Sequence, residues 1–166
     1  ELEIAQNRRD DGIKTLEHVV ELKPDLLGAR LTLIAVLAGA GKPDRATAVL
    51  EPLKKAMPQD PRVRYSEALI AYSRGDLPGA RDAVQAVLSA APEHVPALYL
   101  SGIISYAMGS YAAAEEALRA VIAKVPGNTN ARRLLAATYL RSGRTGPALD
   151  VLEPALLGPP ERVVEE

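Results

Sequence analysis

Apolar positions along this chain come in helical runs of about a dozen residues that stop, turn and restart. The run VPALYLSGIISYAM (95–108) ends at Gly109, and a second run, YAAAEEALRAVIAK (111–124), stops before Pro126-Gly127-Asn128. A glycine can adopt the left-handed backbone that closes a helix, so the pattern predicts two helices joined by a tight turn. The same grammar returns along the chain. Pro24, Pro58, Pro92, Pro126 and Pro160 stand 34 residues apart, and Gly41, Gly75, Gly109 and Gly143 keep the same step, as do Ala46, Ala80, Ala114 and Ala148. From Leu27 the chain reads as four repeats, 27–60, 61–94, 95–128 and 129–162, after a partial repeat 1–26 and before a tail 163–166.

Each repeat is a helix–turn–helix. Pro43 and Pro147 suit the start of their second helices, where a missing N–H goes unfelt. The recurrent alanine early in each second helix predicts a close approach, met on the facing helix by Ala68, Gly102 and Ala136. An antiparallel pair this short cannot bury its apolar face alone, so successive pairs must stack. The prediction is an all-α protein, an α-solenoid of stacked antiparallel helix pairs filling 1–166 as one segment. It has nine helices and no strand if the partial repeat keeps only a stub of its first helix. Pro52 and Pro154, each in a VLEP tetrapeptide, fall in mid-helix, where proline removes a hydrogen bond at about 3 kcal/mol; a kink is expected.

Composition narrows the function. The chain is 48% hydrophobic and 25% charged, enough to bury a core. A net charge of −1 without a Lys/Arg run speaks against a nucleic-acid partner. Without cysteine there are no disulfides or thiolate metal sites. The longest apolar stretch, LTLIAVLAGAG, is too short for a transmembrane segment. A chain starting at Glu1 reads as a fragment of a longer array, whose cut faces would self-associate as exposed solenoid ends.

The period and the helix–turn–helix pattern resemble the tetratricopeptide repeat (TPR) family over essentially the whole chain. Leu98, Gly102, Ala114, Leu118 and Pro126 match its signature positions in one repeat, and Leu135, Ala136, Tyr139, Ala148, Leu152 and Pro160 in the next. The resemblance implies a right-handed TPR-like superhelix. The sequence departs from the signature at Arg30, Arg64 and Arg132, where tryptophan or leucine is usual, and at Glu67 and Ser101, where leucine is usual. These suggest polar contacts between neighbouring repeats; Glu67 needs a cation, and Arg64 or Arg30 can supply it. ARRLLAATYLRSG (131–143), VPGN (125–128) and the two VLEP segments further resemble a bacterial subgroup. That subgroup is the TPR lipoprotein of the PEP-CTERM/exosortase sorting system, tied to exopolysaccharide production. It implies a periplasmic or outer-membrane-associated protein; a cytoplasmic one is the alternative.

Catalytic motifs are poor. LAGAGKPD lacks the first glycine and the final Ser/Thr of a phosphate-binding loop, at Val36 and Pro43. His18 and Glu21 read as a surface pair, His94 as a solvated turn residue, and Glu115 and Glu116 as a solvated face. No residue is assigned to catalysis, a cofactor or a metal, and the protein does not read as an enzyme.

In each first helix one stripe faces the second helix and another lies roughly a third of a turn away. The second stripe carries Tyr65, Leu69 and Tyr72 in one repeat and Tyr99, Ile103 and Tyr106 in the next. In TPR arrays this stripe lines the concave groove. Carried onto this chain, its floor starts at Leu31, Ala35 and Ala38 and ends at Arg133, Ala137 and Leu140, with Arg62 and Arg141 beside it. The tyrosines can stack to stiffen the array, or offer large contact area at low entropy cost to a partner. The expected function is a non-enzymatic scaffold gripping a protein or peptide in an aromatic, partly basic groove. The alternative is a polysaccharide-binding surface of stacked tyrosines.

Overall fold

The structure, a computed structural model, describes residues 2–156, with side chains from 9 to 153. Pro160, the tail 163–166 and the side chain of Pro154 lie outside it. Among the described residues there are nine helices and no strand: α1 (Leu2–Leu22), α2 (Leu27–Gly39), α3 (Pro43–Ala56), α4 (Pro61–Ser73), α5 (Leu77–Ala90), α6 (Val95–Ala107), α7 (Tyr111–Lys124), α8 (Thr129–Arg141) and α9 (Thr145–Leu156). First helices begin at 27, 61, 95 and 129, in step with the repeat. The partial repeat forms one continuous helix rather than a stub and a second helix; Asn7 stands where later repeats have the turn glycine.

The turn between paired helices is the same four times. Gly41, Gly75, Gly109 and Gly143 all have φ between 68° and 78°, a left-handed backbone that glycine takes without strain. The glycine N–H bonds back three residues, to Ala38, Tyr72, Tyr106 and Leu140. The next N–H bonds back five, to Leu37, Ala71, Ser105 and Tyr139. This double closure is the Schellman motif, and it satisfies carbonyls that the helix end would leave bare.

First helices start on side-chain caps. Asp60, His94 and Asn128 accept from the backbone N–H of Arg62, Ala97 and Ala131 at 2.8, 3.1 and 2.9 Å. These positions keep the 34-residue step; Leu26, at the same place before α2, makes no side-chain cap. The His94 bond is made by Nδ1 as acceptor, so His94 is a helix cap rather than a solvated turn residue.

Contacts cluster into two compact units, Glu1–Pro92 and Glu93–Glu166. In the first, α2 packs against α1, α3 and α4, and α4 against α3 and α5, around Ile13, Leu33, Ile34, Leu37, Leu50, Val63 and Ile70. In the second, α6 packs against α7 and α8, and α8 against α7 and α9, around Leu118, Val121, Leu135 and Tyr139. The recurrent alanines are buried as expected, as are Ala68, Gly102 and Ala136 opposite them. At Gly102 an added Cβ would meet Leu118 Cγ at 2.7 Å, so this crossing tolerates no side chain.

Candidate functional site

The stripe singled out in the sequence falls on α4 in the first unit and on α6 and α8 in the second. On α4, Tyr65 is half-buried, and burial pushes its hydroxyl pKa up. Leu69 packs at the edge of the first unit's core, while Tyr72 keeps 36% of its surface exposed. Arg62 turns back on its helix cap, donating from Nε and a terminal nitrogen to Asp60 at 3.0 and 2.6 Å. The guanidinium beside Asp60 holds that carboxyl below the usual carboxylate range. Ala38, expected on the groove floor, is buried in the core instead. Its methyl is too short to rise to the surface that Tyr72 reaches one repeat later.

In the second unit, Tyr99 packs against the core and Ile103 is half-buried. The Tyr106 ring meets Tyr111 with centroids 5.9 Å apart and planes at 58°, a tilted pair spanning the α6–α7 turn. On α8, which lies against α6, Arg133 and Arg141 are exposed and Leu140 is 55% exposed. The last-turn positions Tyr72, Tyr106 and Leu140 each lend their carbonyl to the turn glycine. The Schellman closure thus fixes the backbone that carries them.

The polar departures find other partners than expected. Glu67 pairs with Lys54 on α3 at 2.6 Å, not with Arg64 or Arg30. Arg64 folds back on the carbonyl of Pro58 and the Gln59 side chain, and Arg30 leaves its buried Nε without a partner. Arg132 donates to the carbonyls of Pro126 and Val151 at 2.9 and 3.1 Å. Similar ties join neighbouring repeats within each unit: Lys42 to Asp10 at 2.6 Å, Arg74 to Asp44 at 2.9 Å, Arg144 to Glu115 at 2.6 Å. Glu115, read as solvated, also accepts from the Tyr139 hydroxyl at 3.2 Å, and Arg144 lies over the Tyr139 ring at 4.6 Å. Burial first, then the Glu115 charge, pushes the Tyr139 hydroxyl pKa up. Beside this cluster an open cleft of about 470 Å³ is lined by Ile122, Ala123, Leu135, Tyr139, Pro147 and Val151, with the charged Arg119 and Asp150 among them.

Sequence reasoning missed Tyr111 and the Glu115–Tyr139–Arg144 cluster. YAMGSY held both rings of the first across one turn glycine. The second joins residues that only stacking of repeats brings together. Among the described residues, no group of three or more His, Asp or Glu could hold a metal ion, and no helix is long and apolar enough to cross a membrane.

A tetratricopeptide repeat family model matches residues 3–70 and 105–162, more than half of the chain. The chain belongs to the tetratricopeptide repeat family. Solved structures carry the same TPR fold. TTC0263, a thermophilic TPR protein of Thermus thermophilus, is similar with a TM-score of 0.79 and 20% identity, over 98% of this chain and 89% of that one. MamA from Desulfovibrio magneticus RS-1 is similar with a TM-score of 0.69 and 17% identity, over 93% and 87%. A further MamA crystal structure gives 0.67 and 21%, over 93% and 91%. No curated protein matches the sequence. TPR proteins bind protein partners, so a protein-interaction scaffold is the function class consistent with the TPR fold.

Proposed function

We propose that this TPR chain is a non-enzymatic scaffold that holds a protein or peptide partner on the exposed faces of its first helices. The carrying observation is the last-turn position of those helices. Tyr72 and Leu140 stand 36% and 55% exposed there on backbone fixed by a glycine closure, large apolar groups offered to solvent. Such groups on a rigid support are what binding hot spots use. His94 is taken up as a helix cap through Nδ1, which supports a non-enzymatic role for it. Photo-crosslinkers at position 72 in the first unit and at position 140 in the second should each trap a protein partner in cells, while crosslinkers at the exposed second-helix positions Glu51 and Ala112 should not. Equal trapping at all four sites overturns the reading.

Polysaccharide binding is the second reading, favoured by the tilted Tyr106–Tyr111 pair, whose rings can stack on sugar faces. Quenching of tyrosine fluorescence by exopolysaccharide, lost in Tyr106→Ala, would select it. The context we propose is a bacterial PEP-CTERM/exosortase and exopolysaccharide system, with a lipoprotein at the periplasm or outer membrane. It is supported by the resemblance of ARRLLAATYLRSG, VPGN and the paired VLEP segments. Fractionation that finds the full-length protein in the cytoplasm overturns it. Self-association through apolar surface on the first and last helices completes the proposal.

A further inference from the structure

We infer that the partner segment seated on the second unit is acidic, with two carboxylates flanking apolar side chains. The inference rests on reading the first-helix faces as the partner surface. Between Glu116 and Asp150 the chain has no Asp or Glu but six Arg and Lys. Four of these are engaged. Arg119 and Arg144 pair with Glu115 at 3.6 and 2.6 Å, Lys124 pairs with Glu93, and Arg132 is held by two backbone carbonyls. Arg133 and Arg141 remain. Both are exposed, and among the described residues neither makes an ion pair or a hydrogen bond through its side chain.

Their placement is selective. Both sit on α8 with Leu140, and eight residues at about 1.5 Å each put them about 12 Å apart along the axis. The sequence of α8 holds no carboxylate, and that of the neighbouring α6 holds no charge at all. One repeat earlier the same two places are Tyr99 and Ala107, so the charge belongs to this repeat alone. A guanidinium that pairs with no carboxylate among the described residues offers its planar fork to one from outside. The apolar surface of Ile103, Tyr106 and Leu140 lies on the same two helices. An extended peptide advancing about 3.3 Å per residue spans 12 Å in roughly four residues. The complementary segment is therefore acid–apolar–acid, its carboxylates about four residues apart. Arg119 and Arg144 share Glu115, Lys124 has Glu93, and Arg132 keeps its charge against backbone carbonyls, so a polyanion is the competing occupant that the oligonucleotide arm of the test below decides.

The test uses the full chain and two labelled nine-residue peptides, read by fluorescence anisotropy. One has glutamates four residues apart around leucines; the other has glutamines in their place. The glutamate peptide should bind about tenfold or more tightly, with an advantage that shrinks as salt rises. Arg133→Gln with Arg141→Gln should erase the preference and leave the melting temperature unchanged, since both side chains are exposed; the double Lys variant should keep part of it. Equal binding of the two peptides, or no binding of the glutamate peptide at millimolar concentration, overturns the inference. So does a single-stranded oligonucleotide that binds more tightly and depends on the same arginines. If Leu140→Ala weakens both peptides while the arginine variants change nothing, the surface stands and its acidic selectivity falls. If neither peptide binds and crosslinkers at 72 and 140 trap nothing, the surface reading itself falls.

Discussion

At the residue scale, the crossing of α6 and α7 at Gly102 leaves no room for a Cβ. Gly102 was legible as a small residue at a helix crossing, and the structure places Leu118 carbons at 2.7 and 2.8 Å from any added Cβ. Gly102→Ala would gain about 1 kcal/mol of helix propensity but overpack a sealed site by about 1–3 kcal/mol; a lowered melting temperature is expected. Glu67 was legible as needing a cation, but Lys54 comes from the preceding repeat's second helix, which first-helix spacing alone does not reveal. The pair is partly exposed, so Glu67→Gln should lose about 0.5–1 kcal/mol at pH 7. The Glu67 hydrogen bond raises the Lys54 pKa above its ordinary value. The pair therefore stabilises fully below the unfolded lysine pKa of about 10.4 and fades as pH rises through the higher folded value. Urea melts of wild type and variant should converge in strong alkali; a gap that stays constant to pH 12 would contradict the pairing.

At the scale of the element, the glycine-closed helix ends were read correctly and the capped helix starts were not. The four turn glycines announced their geometry by period alone, and all four have positive φ. The caps at Asp60, His94 and Asn128 share the period too, yet their three different residue types hid it. A histidine nitrogen can accept the same backbone N–H as an Asp or Asn oxygen. His94→Asn should hold stability, whereas His94→Ala should lose about 0.5–2 kcal/mol by chemical denaturation. Equal stability of the two would remove the capping role. Pro52 is exposed inside α3, which the structure carries through to Ala56. Pro52→Ala restores an N–H for the Ala48 carbonyl and should raise stability by about 1–3 kcal/mol. A neutral result would mean that the lost hydrogen bond is already offset by water.

At the scale of the whole molecule, the fold was legible because one 34-residue rule generates nearly all of it. The candidate site was legible only as a register. Period and helical geometry place Tyr65, Tyr72, Tyr99 and Tyr106 on equivalent faces, but depth depends on neighbouring side chains that the pattern does not count. Tyr65 and Tyr99 sink toward their cores, and Tyr72 stays in solvent. Apolar exposure elsewhere carries a consequence for assembly. Leu22 on α1 and Leu149 on α9 are each 67% exposed. Burying two such side chains against a second molecule would contribute about 1.5–3 kcal/mol each, enough for weak association but not for a tight dimer. Sedimentation should therefore show mean mass rising with concentration toward the millimolar range. Leu22→Glu with Leu149→Glu should hold the chain monomeric without lowering its melting temperature, since neither leucine is buried. A wild-type chain that stays monomeric at millimolar concentration would remove self-association from the proposal, and the first-helix surface would then stand without it.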